Sequence, residues 1–272
     1  MAMKAVAGID IGARTIKAVL LDEDRQLLGR AAVRTRTDFE AGAREALLAA
    51  LSEADLTEED VAYIATTGFG RYNVPFRDLQ VTEITSAARA AAFLFPGTRA
   101  VLDIGAQSTR AIKVAEGGRV KEFKTNDKCA AGAGAFVERA ARYLEIGLEE
   151  VGELSLRAQA PQTISSVCAV LAESEIINHV SAGQPVENIV GGIHESLASR
   201  ALTLLRRVGL EREVTFVGGV ARQQGMVEAL EKTLGMPVNV SGEPEFVGAL
   251  GAALLALQRL QKRSANGAAA GN

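Results

Sequence analysis

A short motif that occurs twice is the feature that most constrains how this chain can fold. Residues 8–15 read Gly-Ile-Asp-Ile-Gly-Ala-Arg-Thr, and residues 101–109 read Val-Leu-Asp-Ile-Gly-Ala-Gln-Ser-Thr. In each copy an apolar, strand-like segment runs into Asp-Ile-Gly-Ala, a tight turn follows, and a second strand-like segment begins. One copy could arise by chance, whereas a second copy 93 positions further on indicates a duplicated unit. We therefore predict two similar domains that face each other across a cleft.

The order of the predicted elements repeats with the motif. The first part of the chain has the patterns of three strands, a helix, a fourth strand and a second helix, at residues 4–10, 16–22, 27–33, 41–54, 61–66 and 83–94. The second part starts again with three strands, followed by three helices, a strand and two helices, at residues 99–104, 109–114, 119–124, about 130–145, 166–181, 186–208, 214–217, 220–234 and 244–261. This alternation predicts an α/β fold.

The same patterns suggest where the domains begin and end. We expect an N-terminal domain over residues 1–97 and a second domain, with both cysteines, over residues 98–243. A helix over residues 244–262 is expected to pack on the first domain. The tail at 263–272 is rich in Ala, Gly and Asn and is expected to be disordered.

Glycine-rich turns beside aspartates are typical of a phosphate site. Glycine lets the backbone approach a ligand closely, and successive N–H groups of such a turn can cradle phosphate oxygens. The carboxylates of Asp10 and Asp103 are candidates to hold a hydrated Mg²⁺ between phosphates. A third turn, Phe-Val-Gly-Gly-Val-Ala at 216–221, follows a predicted strand and opens a helix, which suits the phosphate or adenosine end of a nucleotide. Each Asp/Gly turn taken alone could be an ordinary hairpin; the set of three predicts a nucleotide site.

The candidate site residues all lie on these three turns. Asp10, Asp103 and Gln107 are the catalytic candidates. The candidate nucleotide contacts are Gly12, Ala13, Arg14, Thr15, Lys17, Gly105, Ala106, Gly218, Gly219 and Val220. Neither GxxxxGK[ST] nor GxGxxG occurs, which excludes a P-loop and the dinucleotide-binding fingerprint.

The chain has two cysteines, Cys129 and Cys168, and each lies beside a predicted helix. Two thiolates are half of the four that hold an iron–sulfur cubane, so a second copy of the chain could complete the set. Buried thiols that pack as small hydrophobes remain an alternative. A long-range disulfide is disfavoured, because the first residues lack a signal-peptide pattern.

Composition excludes some function classes. The formal net charge of −3 argues against general nucleic-acid binding, which usually needs a basic surface. No apolar run is long enough to cross a bilayer. We therefore expect a cytoplasmic protein with neither a nucleic-acid partner nor a membrane partner.

The three turns resemble the phosphate-1, phosphate-2 and adenosine motifs of the actin/Hsp70/sugar-kinase superfamily. The chain to about residue 262 further resembles the activator ATPases of 2-hydroxyacyl-CoA dehydratases, a family that includes the ATPase subunits of benzoyl-CoA reductases. The segments that carry this likeness most specifically are 126–134, 165–178 and 216–230.

The resemblance implies two ribonuclease H-like domains around an ATP cleft and a homodimer with one [4Fe–4S] cluster. Cys129 and Cys168 match the cluster ligands of the family. ATP binding would change the angle between the cluster helices, and one low-potential electron would pass to a separate dehydratase or related cluster enzyme. Ferredoxin or flavodoxin would supply the electron.

This chain departs from the family pattern in both motifs. The second turn commonly reads DIGGQD followed by a lysine, whereas this chain has Ala106, Ser108 and Arg110. The cysteine segment commonly reads CAAGTGRF, whereas this chain has Ala133 and Ala135. These positions bear on ATP contacts and partner docking, while both cysteines are retained.

Two other functions stay open at this point. One is a small-molecule kinase of the same fold, such as an N-acetylhexosamine kinase with structural cysteines, and the other is a noncatalytic ATP-sensing partner protein. A sugar kinase needs a substrate-facing general base and usually a sugar-binding insertion, and neither is evident.

Glu173 and Glu175 could order the cluster helix, contact the partner or lie on a solvated face. His179 and His194 lack metal-ligand spacing and are expected at the surface.

Overall fold

A computed structural model describes residues 5–126, 133–166 and 168–269 of the 272-residue chain, with side chains to residue 266. The chain forms two compact units. The first contains Met1–Leu94, Gly117–Arg119 and Phe246–Asn272, and the second contains Phe95–Glu116 and Val120–Glu245.

The first unit is built on a five-stranded sheet in the order β3-β2-β1-β4-β5. The strands are β1 Ala5–Ile11, β2 Thr15–Leu21, β3 Leu27–Arg34, β4 Val61–Gly68 and β5 Leu79–Gln80. The first three strands are antiparallel neighbours, whereas β4 runs parallel to β1 and β5 runs parallel to β4. Its helices are α1 Phe39–Glu53, α2 Glu83–Leu94 and α8 Val247–Ala269.

Strand β1 is buried on both of its faces, which explains its nearly continuous apolar sequence. Ile9 and Ile11 pack in a core with α1, and Val6 packs in a second core with α8. A Cβ at Gly8 would overlap backbone atoms of Ala249, so glycine is needed for α8 to lie this close to the strand. The packing of both helices fixes β1, which carries the first candidate aspartate.

The second unit repeats this sheet, in the order β10-β9-β6-β7-β8. The strands are β6 Ala100–Ile104, β7 Thr109–Ala115, β8 Arg119–Asn126, β9 Val214–Val217 and β10 Val238–Asn239. As in the first unit, the central strand β6 has an antiparallel neighbour, β7, and a parallel neighbour, β9. The equivalence of the two sheets confirms the duplicated α/β architecture inferred from the motif.

The helices of the second unit are α3 Gly134–Tyr143, α4 Val151–Leu156, α5 Ala169–Ser181, α6 Val186–Arg207 and α7 Gln224–Leu234. Phe136 of α3 and Phe216 of β9 are fully buried in one core that also contains side chains of α5, α6 and α7. Among the described residues, no helix is long and apolar enough to cross a membrane.

Several segments differ from the sequence-based expectation. Helix α4 and the short strands β5 and β10 were not predicted. The helix expected over 220–234 is divided into a 3₁₀ turn, Gly219–Arg222, and α7, because Gln223 between them is extended. Helix α8 continues to Ala269, so helix extends into the tail that was expected to be disordered. Alanine has the highest helix propensity, so the alanines of this segment favour the extension.

Candidate functional site

The first turn places a carboxylate beside a cation. Asp10 of β1 pairs in register with Lys17 of β2, and Lys17 Nζ lies 3.4 Å from Asp10 Oδ2, with both side chains largely buried. The turn between the strands is anchored from β3, because the hydroxyl of Thr35 donates to Gly12 O (2.8 Å) and its N–H donates to Arg14 O (2.9 Å). The turn backbone is thus held in place, while the Arg14 side chain is exposed.

Two glycines enclose the other side of the Asp10 carboxylate. Gly68, the last residue of β4, has φ +91°, and a Cβ there would overlap Asp10 Oδ1. A Cβ at Gly248 would come within 3.1 Å of Asp10 Oδ2. Because α8 begins at Val247, the positive end of its dipole lies beside the carboxylate.

The second turn repeats this arrangement in the second unit. Asp103 pairs in register with Arg110, whose Nη1 donates to Asp103 Oδ2 (2.9 Å). Gly105 N donates to Ser108 O (2.9 Å), which closes the turn and leaves Gln107 exposed. Arg110 stands where the family commonly has lysine, so the cation opposite the aspartate is kept.

The third turn lies against the second. Gly218 has φ +92°, and a Cβ there would lie 2.6 Å from Asp103 Oδ1, as at Gly68 in the first unit. Gly218 N donates to Pro244 O (3.0 Å). A Cβ at Gly219 would meet nothing within 4 Å, so the space beside this turn is open.

Glu245 lies near the third turn. Its Oε1 is 3.3 Å from Nη1 of Arg222, at the end of the 3₁₀ turn that Gly219 begins. Its Oε2 is buried and has no hydrogen-bond partner within the described part of the chain. A polar group of a ligand at this turn would satisfy that oxygen.

Sequence analysis missed Gly68, which is as close to Asp10 as Gly218 is to Asp103. Arg71 Nη1 donates to the carbonyl of Gly68 (3.0 Å) and also to Glu83 Oε2 (3.1 Å), which holds the loop after β4. The available signal was a glycine at the end of a strand, as at Val217-Gly218. In Thr66-Thr67-Gly68 no second glycine follows, so this segment does not match the Gly-Gly pattern of the third turn.

We predict that Gly68→Ala lowers the ATPase kcat by about tenfold or more, since small displacements of reacting groups are costly. The new Cβ would push the Asp10 carboxylate and would strain the backbone. The control is Gly235→Ala, which has a similar φ of +67° and no atom within 4 Å of the added Cβ. If kcat were lowered equally in both variants, the loss of activity could not be assigned to displacement of the Asp10 carboxylate, and the prediction would be contradicted.

Of the two cysteines, only Cys168 can be located, because Cys129 lies outside the described residues. Cys168 is half-buried, forms no disulfide, and is the N-cap residue of α5. The segment before it is anchored at Ser165, whose N–H donates to Glu175 Oε2 (2.5 Å) and whose carbonyl accepts from the Ser196 hydroxyl (3.2 Å). Glu175 thus orders the segment that leads to the thiol.

Within the ranges 5–126, 133–166 and 168–269, no group of three or more His, Cys, Asp or Glu could hold a metal ion.

The expectation that both histidines lie at the surface is wrong for His194, which is fully buried on α6. Its Nε2 donates to Gln223 Oε1 (2.9 Å), the residue that separates the third turn from α7. Burial lowers the pKa of His194 from 6.5 to about 4, because the charged imidazolium loses its hydration, and the bond to Gln223 offsets this only in part. Neutral His194 thus supports the residue that follows the third turn.

We predict that His194 makes stability fall as the pH is lowered from about 6.5 to about 4. In this range the unfolded chain binds a proton at this residue and the folded chain does not, so the free energy of unfolding decreases by about 1.4 kcal/mol per pH unit from this group. Urea denaturation of wild type and His194→Gln at several pH values checks this. Equal pH slopes in the two proteins would contradict the buried, neutral histidine.

The structure contains two similar sheets, each with an aspartate turn, and a third glycine turn beside the second aspartate turn. These features define a nucleotide-binding protein of the two-domain actin-like class. The BadF/BadG/BcrA/BcrD ATPase family model matches residues 7–256. The chain belongs to this family and is an ATPase.

Relatives along almost the whole chain agree with this. The activator of lactoyl-CoA dehydratase from Anaerotignum propionicum is 42% identical over 256 residues, 94% of this chain and 98% of that protein. The (R)-2-hydroxyglutaryl-CoA dehydratase activating ATPase from Acidaminococcus fermentans is 37% identical over 256 residues, 94% and 98% of the two chains. The solved activator of the 2-hydroxyisocaproyl-CoA dehydratase from Clostridium difficile, with bound ADPNP, has a TM-score of 0.92 at 36% identity, covering 96% of this chain and 97% of that one. The resemblance and the fold class inferred from the motifs are confirmed.

Proposed function

We propose that this chain is an ATP-dependent electron-transfer activator of a 2-hydroxyacyl-CoA dehydratase or a related cluster enzyme. The observation that carries the proposal is the thiol of Cys168 at the N-terminus of α5, in a chain whose relatives are dehydratase activators. A bound [4Fe–4S] cluster supplies a single low-potential electron to the partner enzyme. Ferredoxin or flavodoxin is the proposed donor to the activator.

The three turns supply the ATP chemistry. Backbone N–H groups of the turns at Gly12–Arg14 and Gly105–Gln107 bind phosphate oxygens, and the turn at Gly218 receives the adenosine end. Asp10 and Asp103 are the carboxylates proposed to hold a hydrated Mg²⁺. The Lys17 ammonium lies beside the first turn, only 3.2 Å from a Cβ position on Gly12, and offsets phosphate charge. Gln107, which is exposed, is proposed to orient the attacking water.

The environment of Cys168 fits a cluster ligand. A thiolate is favoured at a helix N-terminus, where backbone N–H groups lack intrahelical partners, and no side chain caps α5. Half-burial leaves the sulfur reachable, and no disulfide consumes it. Cys129 is proposed as the second ligand of the same chain. Since a cubane takes four cysteine ligands, the protein functions as a homodimer with one shared cluster.

Asp10→Asn and Asp103→Asn should each lower ATP turnover by about a hundredfold or more, because a metal ion stabilises several kcal/mol of transition-state charge. Iron content should be unchanged. Asp24→Asn, in the exposed turn between β2 and β3, is the control and should keep full activity. Wild-type turnover in both site variants would remove the paired carboxylates from the mechanism.

Cys129→Ser and Cys168→Ser should each abolish the cluster and leave ATP binding intact. We expect about two irons per chain in anaerobically purified wild type and almost none in either variant. Iron is measured by colorimetric assay, and mass by analytical ultracentrifugation. Full iron content in either serine variant would disprove the shared cluster. An iron-free wild type that phosphorylates sugars would instead support the kinase alternative.

A further inference from the structure

The first residues of α3 are bonded directly to the second turn. Gly134 N donates to Gly105 O (2.9 Å), and Ala135 N donates to Ala106 O (2.8 Å). A Cβ at Gly134 would lie 3.0 Å from Cγ2 of Val220, so the third turn also touches this point. All of these are backbone or glycine contacts, so the alanines at 106 and 135 preserve them. The start of α3 therefore follows any movement of the two turns.

The same face of α3 is joined to α5. Ala135, Arg139 and Tyr143 follow one another at intervals of four, which places them on one side of the helix. Arg139 Nε donates to Glu173 Oε1 (2.7 Å), and the Tyr143 hydroxyl donates to Glu173 Oε2 (3.3 Å). Both oxygens of one carboxylate on α5 are thus held by α3, and charge-assisted bonds of this kind are directional.

Helix α5 begins at Cys168, the proposed cluster ligand. Cys168 is its N-cap, and Ala172 N donates to Cys168 O (3.0 Å) in the first turn of the helix. Glu173 is the next residue, so its carboxylate projects from the part of α5 that is nearest to the thiol. Glu175 holds Ser165 on the preceding segment. Hydrogen bonds therefore join the second turn to α3 and α3 to the first part of α5, the helix that has Cys168 as its N-cap.

We infer that Arg139 is a positioning residue, whose ion pair with Glu173 transmits nucleotide occupancy at the second turn to Cys168. The inference rests on the proposed function, because it takes the turn as the phosphate site and Cys168 as a cluster ligand. A nucleotide shifts a conformation only through different contacts in two states. The γ-phosphate is the group that distinguishes ATP from ADP, and we assign part of its contacts to the turn that is bonded to α3.

The test is amide hydrogen exchange of the anaerobic, iron-loaded homodimer with ADP and with a non-hydrolysable ATP analogue. In wild type, peptides from the start of α3 and from the start of α5 should both exchange at rates that differ between the two nucleotides, by roughly fivefold or more. In Arg139→Met, which keeps an unbranched side chain and removes the charge, the α3 difference should remain and the α5 difference should disappear. ATP hydrolysis and iron content should stay at wild-type values.

A matched control is Arg142→Met, which removes an ion pair confined to α3, with Glu138 (2.8 Å), and should leave the α5 difference intact. The exchanged pair, Arg139→Glu with Glu173→Arg, should restore the α5 difference. It also tests the inference if Arg139→Met is unstable. Release of iron to a chelator gives a second readout. It should depend on the nucleotide in wild type and in the exchanged pair but not in Arg139→Met.

The outcomes separate the inference from the function on which it rests. If the exchange rate in wild type differs between the two nucleotides in α3 but not in α5, the role of Arg139 is overturned and the nucleotide site is left intact. The role of Arg139 is also overturned if the exchange rate of α5 still differs between the two nucleotides in Arg139→Met. Equal exchange of α3 with the two nucleotides overturns both the phosphate site at the second turn and the inference.

Discussion

The constraint on which both units depend is an aspartate held between a cation and a glycine. The cation lies on the antiparallel neighbour of the central strand, and the glycine ends the parallel neighbour. The two sets are Asp10, Lys17 and Gly68, and Asp103, Arg110 and Gly218. A largely buried carboxylate without a charged partner is costly, and any Cβ at the glycine would displace it. A shift of β2 or β7 by one residue would move Lys17 or Arg110 away from its position opposite the aspartate, so this arrangement also favours a single register.

The sequence predicted the part of this arrangement that is local. Asp-Ile-Gly-Ala and the strand after it occupy only residues 10–21 and 103–115, so the hairpins and their duplication can be seen by inspection. Gly68 lies far from Asp10 in the sequence, and only the parallel pairing of β4 with β1 brings the two together. Its positive φ has no unambiguous sequence signal, since a glycine that ends a strand is often no more than a turn. The duplication could have identified Gly68, because Gly68 occupies in the first unit the position that Gly218 occupies in the second.

The misplaced histidine has the same physical origin. The spacing of residues along a helix does not show which of them are buried, because burial depends on what packs against the helix. Helix α6 is buried along most of its length, from Ile189 to Leu205, so a polar residue there needs a partner from another element. That partner is Gln223, and its extended backbone is what separates the 3₁₀ turn from α7. One long-range contact therefore accounts for both the buried histidine and the divided helix.

The cations of the two sets are not interchangeable, and the difference bears on which turn can transmit a signal. Lys17 is a point charge 3.4 Å from Asp10, whereas Arg110 makes a shorter, directional bond of 2.9 Å to Asp103. The strand side of the second turn is thus fixed by the guanidinium and by the close approach of Gly218. The opposite side, Gly105 and Ala106, is bonded to the first residues of α3. A change in the backbone of Gly105 or Ala106 therefore acts directly on the first residues of α3, which are bonded to it, more than on the sheet, where Arg110 and Gly218 hold Asp103 in place.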